Sequence, residues 1–170
     1  MTRDETQIVF VSGLSGSGKT TAMGALEDLS FYCVDNLPAQ LVLQFVDLCT
    51  NATPAIRKIA LAVDSREEQF LRRFPQVVEE LRATGARVKG IFLDCSDEVL
   101  LKRYSETRRV HPFSPDGSVD AGIQRERQQL IELAALANVE IDTSVLNIHE
   151  LKERVIQLVG GRVRETVVNI

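Results

Sequence analysis

Apolar positions in this chain fall into short β-branched runs separated by longer segments with helical spacing. Ile8 to Val11 reads as a short buried strand, and Lys19 to Leu29 follows as a helix. Phe31 to Val34 is a second expected strand, stopped by Asp35-Asn36. Leu37-Pro38 then opens a helix to about Cys49, proline being at home in a first turn. Asn51 to Pro54 has turn chemistry, and Ile56 to Val63 is a third strand, closed by Asp64-Ser65. Ser65 and Glu68 have the spacing of a capping box. The helix they open runs to about Thr84, with Pro75 expected to kink or interrupt it and Gly85 to end it. Val88 to Asp94 is a fourth strand, and Ser96 or Asp97 caps a helix from Glu98 to about Thr107. "RRVHPFSPDGSVD" is a loop, and His111 within it has no partner motif. One long helix is expected over Ala121 to Ala137, a fifth strand over Val139 to Asp142, and a last helix over Ile148 to Val159.

Strands alternating with helices imply a parallel sheet covered on both faces, joined by right-handed crossovers. The glycines between the first strand and the first helix add a specific signal. Gly13, four residues, then Gly18-Lys19-Thr20 is the G-x-x-x-x-G-K-[ST] phosphate loop, in the strand-to-helix setting the motif requires. The expected fold is therefore a three-layer α/β/α P-loop NTPase, nucleotide-kinase-like, with a five-stranded parallel sheet in the order 2-3-1-4-5. Residues 1–161 form the nucleotide-binding domain. The tail 162–170 alternates like a strand and is read as the start of a further C-terminal domain.

Composition narrows the class. Apolar residues make up 44% of 170, enough for a real core, and no apolar run approaches the roughly 20 residues of a membrane-spanning helix. The charged N-terminus and the short apolar run after it do not make a signal peptide, so a cytoplasmic protein is expected. The three cysteines are far apart and form no C-x-x-C pair, which fits small core residues in a reducing compartment. A net charge of −4 argues against a general polyanion binder.

The phosphate loop assigns roles to its residues. Gly13, Leu14, Ser15, Gly16, Ser17 and Gly18 supply backbone N–H groups around phosphate oxygens, with the Ser15 and Ser17 hydroxyls as further donors. Lys19 reaches the β- and γ-phosphates, and Thr20 ligates magnesium. A carboxylate for the metal shell comes from a strand end. With the strand order above, Asp64 is preferred to Asp94. Asp35, at the end of the second strand, faces the same edge and in a kinase could position an acceptor hydroxyl. Arg103, Arg108 and Arg109 lie on a helix running into the Pro-rich loop, where arginines on a lid offset charge in phosphoryl transfer. Arg125, Glu126 and Arg127 read as surface salt-bridge partners. "IDTS", with Thr143 at its centre, is expected to face the base.

Taken in order, "GLSGSGKTTA", "DNLP", "VDSRE", "LKRYSETRRVHP", "IQRERQQL" and "IDTS" resemble the RapZ-like family, the nucleotide-binding RNase adapter proteins of bacteria. The resemblance covers nearly all of residues 7–160. It implies binding of ATP and GTP, a fold similar to small-molecule kinases, and weak hydrolysis. It also implies an RNA or ribonuclease partner engaged through a C-terminal domain to which RNA and amino-sugar binding are attributed, a domain that would start where this chain stops. The family's second nucleotide-binding tetrapeptide, D-[VI]-R-[SN], falls on Asp64-Ser65-Arg66-Glu67. Asp64 and Arg66 fit it, and Ser65 and Glu67 depart from it. The functional expectation is a nucleotide switch with slow magnesium-dependent NTPase activity, with a homo-oligomer left open. The alternatives are a small-molecule kinase using Asp35, or a regulatory binding module tuned by nucleotide.

Overall fold

A computed structural model describes residues 6–63, 68–107 and 118–160. Five strands, β1 (Gln7–Gly13), β2 (Tyr32–Asp35), β3 (Lys58–Ala62), β4 (Arg87–Asp94) and β5 (Val139–Asp142), form one sheet. Every pairing is parallel and the order is β2-β3-β1-β4-β5, as the sequence pattern implies. The helices are α1 (Lys19–Asp28), α2 (Ala39–Thr50), α3 (Glu68–Ala83), α4 (Asp97–Thr107), α5 (Val119–Gln129), α6 (Ile131–Leu136) and α7 (Ile148–Val159). Among the described residues, no helix is long and apolar enough to cross a membrane.

The central strand explains the two-sided core. In β1, Ile8 and Phe10 pack into one buried cluster with residues of α2, α3, α5 and α6. Val9 and Val11, pointing to the other face, pack into a second cluster with residues of α1 and α7. Both faces of β1 are thus dry, and its carboxyl end is held between β3 and β4. That end is where an open α/β sheet places its ligand.

Several boundaries differ from the sequence expectation. β3 starts at Lys58, because the Ile56 N–H donates to Cys49 O at the end of α2 instead of joining the sheet. Pro38 stands just outside α2 with extended backbone. Pro75 does not interrupt α3. Leu71, Phe74, Val77, Val78 and Leu81 around it are buried, and the Phe74 ring meets Phe10 edge-on at 5.0 Å. Packing of that face outweighs the local penalty of one missing hydrogen bond. The long helix expected over 121–137 is two helices joined at Leu130, whose ψ of 2° turns the chain. The turn lets Leu133 of α6 pack beside β1 and β4 while α5 reaches the phosphate loop. Cys33, Cys49 and Cys95 are all free thiols, the last two buried.

Candidate nucleotide-binding site

The loop from Gly13 to Thr20 leaves β1 and enters α1, and two of its glycines are required by geometry. A Cβ on Gly13 would lie 2.5 Å from Leu93 O of β4, so no larger residue lets the loop pass that strand. Gly18 has φ 112° and sits at the N-cap of α1, and a Cβ there would also meet Leu151 at 2.7 Å. No acidic residue occupies the first turn of α1, so its positive end stays open to an anion.

Each loop residue is tied down in its own way. The Leu14 N–H donates to Leu93 O, and the Ser17 N–H and hydroxyl both donate to Leu14 O. Lys19 Nζ donates to Gly13 O at 3.1 Å, which folds its ammonium back over the loop. The N–H groups of Gly16 and Gly18 donate to no protein atom among the described residues. With the first-turn N–H groups of Thr20 and Thr21, they are backbone donors open to phosphate oxygens. The two serine hydroxyls, expected as phosphate donors, instead have protein acceptors, Leu14 O for Ser17 and Glu126 for Ser15.

Glu126 is the residue the sequence reading misplaced. It is fully buried, not at the surface. Oε1 accepts the Ser15 N–H at 2.8 Å and Oε2 accepts the Ser15 hydroxyl at 2.7 Å. A signal was present. Ile123, Glu126 and Leu130 are spaced three and four apart, so the carboxylate occupies a position within the apolar stripe of α5. Arg127 does form ion pairs, as expected of it. It meets Asp94 at 2.9 Å and Asp97 at 2.6 Å and also donates to Cys95 O. Burial works against its charge, but the hydrogen bonds and charges of Asp94 and Asp97 outweigh that and raise its pKa. Asp94, the alternative metal carboxylate, is thereby engaged by Arg127 and by the Cys95 N–H.

On the other side of the loop, Arg103 of α4 donates to Gly16 O at 2.8 Å and to Thr143 O at 3.0 Å. Thr143, buried, donates its hydroxyl to Ser17 O at 2.7 Å, so the β5–α7 connection is bound directly to the phosphate loop. A groove of about 580 Å³ opens there, lined by Gly16, Gly18, Thr21, Arg103, Thr143 and His149 among others. The start of α7 that borders it is fixed by a capping box between Asn147 and Glu150. The N-x-x-E spacing of Asn147 and Glu150 is the signal of this cap in the sequence.

Thr20 lies exposed on the first turn of α1, and its hydroxyl has no protein partner among the described residues. An exposed hard oxygen beside the loop suits magnesium. Among the described residues no cluster of three or more His, Cys, Asp or Glu could hold a metal without such help. Asp35 ends β2, exposed, at the carboxyl edge of the sheet. Asp64, Ser65, Arg66, Glu67, Arg108 and Arg109 lie outside the described residues, as does the tail 162–170.

Comparison with known proteins places this site in a family. A nucleotide-binding protein of Geotalea daltonii (strain DSM 22248 / JCM 15807 / FRC-32) is 50% identical over 155 residues, 91% of this chain and 54% of that protein. A nucleotide-binding protein of Anaeromyxobacter dehalogenans (strain 2CP-C) is 49% identical over 150 residues, 88% of this chain and 51% of that protein. The chain thus spans about half the length of the curated relatives it matches. Among solved structures, the tunicamycin resistance protein of Deinococcus radiodurans aligns with TM-score 0.61 at 18% identity, covering 91% of this chain and 96% of that one. A gluconokinase from Sinorhizobium meliloti 1021 aligns with TM-score 0.57 at 15% identity, covering 98% and 97%. These two support the fold alone. The family model for the RapZ-like N-terminal domain matches residues 6–163, and the chain belongs to that family.

Proposed function

We propose that the domain binds a nucleoside triphosphate, ATP or GTP, with magnesium and hydrolyses it slowly, so that the bound nucleotide acts as a regulatory switch. The observation that carries this reading is the phosphate loop, held in shape by its own carbonyls and by two flanking helices, with the Gly16 and Gly18 donors left open beside a groove. The triphosphate lies along Gly16, Gly18 and the N-terminus of α1, with Lys19 swinging from Gly13 O to the β- and γ-oxygens. The base takes the groove beside Thr143. Thr20 and Asp64 would hold magnesium, which supplies charge neutralisation between the β- and γ-phosphates when bound. Arg66, with Ser65 and Glu67 beside it, contributes to the nucleotide contact, and Arg108 and Arg109 offset charge on the terminal phosphate. Water is the attacking group, and electrostatic stabilisation is the main part of catalysis. As the family resemblance implies, an RNA or a ribonuclease would read the switch through a C-terminal domain, and a cytoplasmic setting suits such a partner.

A small-molecule kinase is the second reading, favoured by Asp35 at the same edge of the sheet as the loop. One experiment separates the two. Purified protein with magnesium and labelled ATP or GTP is assayed for free phosphate with and without candidate acceptors. Slow release that acceptors do not alter is expected. An acceptor that emerges phosphorylated, in an Asp35-dependent way, would overturn the hydrolase reading.

A further inference from the structure

The groove beside the phosphate loop mixes apolar side chains, Leu146, Ile148 and Leu151, with polar ones. Ile148 is exposed there, a surface that the flat face of a base would cover. The polar groups differ in how far they can tell one base from another. Ser17 and Thr143 spend their hydroxyl protons on Leu14 O and Ser17 O. Arg103 carries donors, engaged on Gly16 O and Thr143 O. Thr21 and His149 can each donate or accept, so neither discriminates between base edges. Asn147 is different, because its amide is fixed in one orientation. Its side chain accepts the Glu150 N–H at 2.7 Å, and only the amide oxygen, Oδ1, can accept. The Asn147 N–H donates to Glu150 Oε1, and its carbonyl accepts the Leu151 N–H. Among the described residues that leaves one polar atom of Asn147, Nδ2. It is a donor that cannot be exchanged for an acceptor without breaking the cap of α7. Purines differ in what they offer to such a donor. Guanine carries two neighbouring acceptors, O6 and N7, whereas adenine has N7 and a donor amino group at the 6-position.

We propose that Asn147 is a specificity-determining residue that makes the groove favour 6-oxopurine nucleotides, guanine over adenine, through a hydrogen bond from Nδ2 to O6. The proposal deepens the nucleotide-switch reading, with the base in the groove, and rests on it. The residue that caps α7 is then also the one that reads the base. A guanine O6 meets a fixed donor, while the adenine amino group faces a second donor and gains nothing from it. Asn147 is exposed, so a donor unmet by adenine turns to solvent and the preference is moderate.

The test uses nucleoside diphosphates, which carry no γ-phosphate to hydrolyse, so turnover is not the readout. Affinities of GDP, ADP and inosine diphosphate for the whole chain are measured by calorimetry with magnesium. GDP should bind about fivefold more tightly than ADP, ~1 kcal/mol. Inosine diphosphate keeps O6 and lacks the 2-amino group, and should stay within about twofold of GDP. Two variants change the donor and keep a capping oxygen for α7. Asn147→Ser removes Nδ2, and the ratio of GDP to ADP affinity should fall to about one. Asn147→Asp puts an acceptor where the donor stood, and the ratio should invert to about threefold in favour of ADP. Its added charge weakens both nucleotides alike and drops out of the ratio. Equal affinities or a preference for ADP in the wild type overturns the proposal while the nucleotide reading stands. So does inosine diphosphate that binds like ADP, or an unchanged ratio in either variant. Wild-type protein that binds neither GDP nor ADP overturns the nucleotide reading itself, and the proposal with it.

Discussion

Helices α4 and α5 flank the segment 108–117 and both reach the phosphate loop, one with a cation and the other with an anion. From α4, Arg103 donates to the carbonyl of Gly16; from α5, Glu126 accepts from the N–H and hydroxyl of the preceding residue, Ser15. The two contacts have opposite consequences for a polyphosphate. Arg103 satisfies an acceptor that would repel phosphate and lines the groove with its guanidinium. Glu126 uses up a donor that would attract phosphate. Neighbouring residues of one loop are therefore held from opposite sides, one through its carbonyl and the other through its N–H and hydroxyl. The loop motif alone does not carry this asymmetry, since every G-x-x-x-x-G-K-[ST] loop shares the same backbone donors.

The largest effect should come from removing the residue both sides depend on. Lys19→Ala takes away the ammonium that donates to Gly13 O and that the proposed function turns toward the phosphates. A charge-assisted contact of this kind is not replaced by neutral donors. Triphosphate affinity measured by calorimetry should fall at least about a hundredfold, ~2.7 kcal/mol. Thermal unfolding without nucleotide should change little. If affinity survives in a folded variant, the loop is not the phosphate site and the comparison between its two sides loses its meaning.

Arg103→Ala should come next. It removes the bridge from the loop to the β5–α7 connection and the positive charge at the groove. Affinities for diphosphate and triphosphate should both fall about tenfold, ~1.4 kcal/mol, because the contact borders the groove proposed for the base. Arg103→Lys keeps a charge but not the fork that spans two carbonyls, and should lie between. A loss confined to the triphosphate would place Arg103 at the terminal phosphate and reverse the orientation proposed for the nucleotide.

Much of this architecture is legible in the sequence, for physical reasons that differ by element. The strand order follows from short β-branched runs alternating with helices and from the phosphate loop after the first of them. The burial of β1 on both faces is written in its unbroken apolar run. The turn at Leu130 is not legible, because neither glycine nor proline marks it and the gain that drives it, Leu133 reaching the sheet, is tertiary. The same holds for Pro75, where the packing of Phe74 on Phe10 decides against a break. Glu126 was hidden by its surroundings. In "IQRERQQL" the polar residues look like one solvated face, and only the phase of Ile123 and Leu130 reveals that this carboxylate points inward. Thr143 lines the groove beside the loop, and its hydroxyl is directed to Ser17 O, a contact across 126 positions that no local pattern encodes.

Arg127 provides a contrast between two arginines beside one site. Arg127→Ala leaves Asp94 and Asp97 without their shared partner, but the contacts it breaks lie behind the loop. Its side chain is 31% exposed, so solvent screens the charges in part. A stability loss of about 1–2 kcal/mol is expected from hydrogen bonds to charged groups of this kind, or a fall of several degrees in melting temperature. Nucleotide affinity should stay within about twofold of wild type. A large loss of affinity with unchanged stability would move the Asp94–Arg127 pair into the site.

The smallest effect expected is electrostatic and sits where the Arg103 arm ends. Asp142 accepts the N–H and hydroxyl of Ser144, and these hydrogen bonds lower its pKa from the ordinary value of 3.8. The Ser144 hydroxyl also accepts the Ser96 N–H, so this turn links β5 to the start of α4. A carboxylate whose folded pKa is depressed contributes stability that is present above its unfolded value and lost as pH falls through the folded value. The contribution should therefore be complete at neutral pH and fade below about pH 4. Asp142 is exposed, so the effect is screened and should shrink as salt rises. Urea unfolding of wild type and Asp142→Asn at pH 7 and pH 3 is the measurement. The wild type should be slightly more stable at pH 7 and the gap should narrow at pH 3, as the carboxylate takes up its proton. A gap that widens in acid would mean that Asp142 is disfavoured as an anion in the folded chain, and the turn that anchors the Arg103 side would then need another origin.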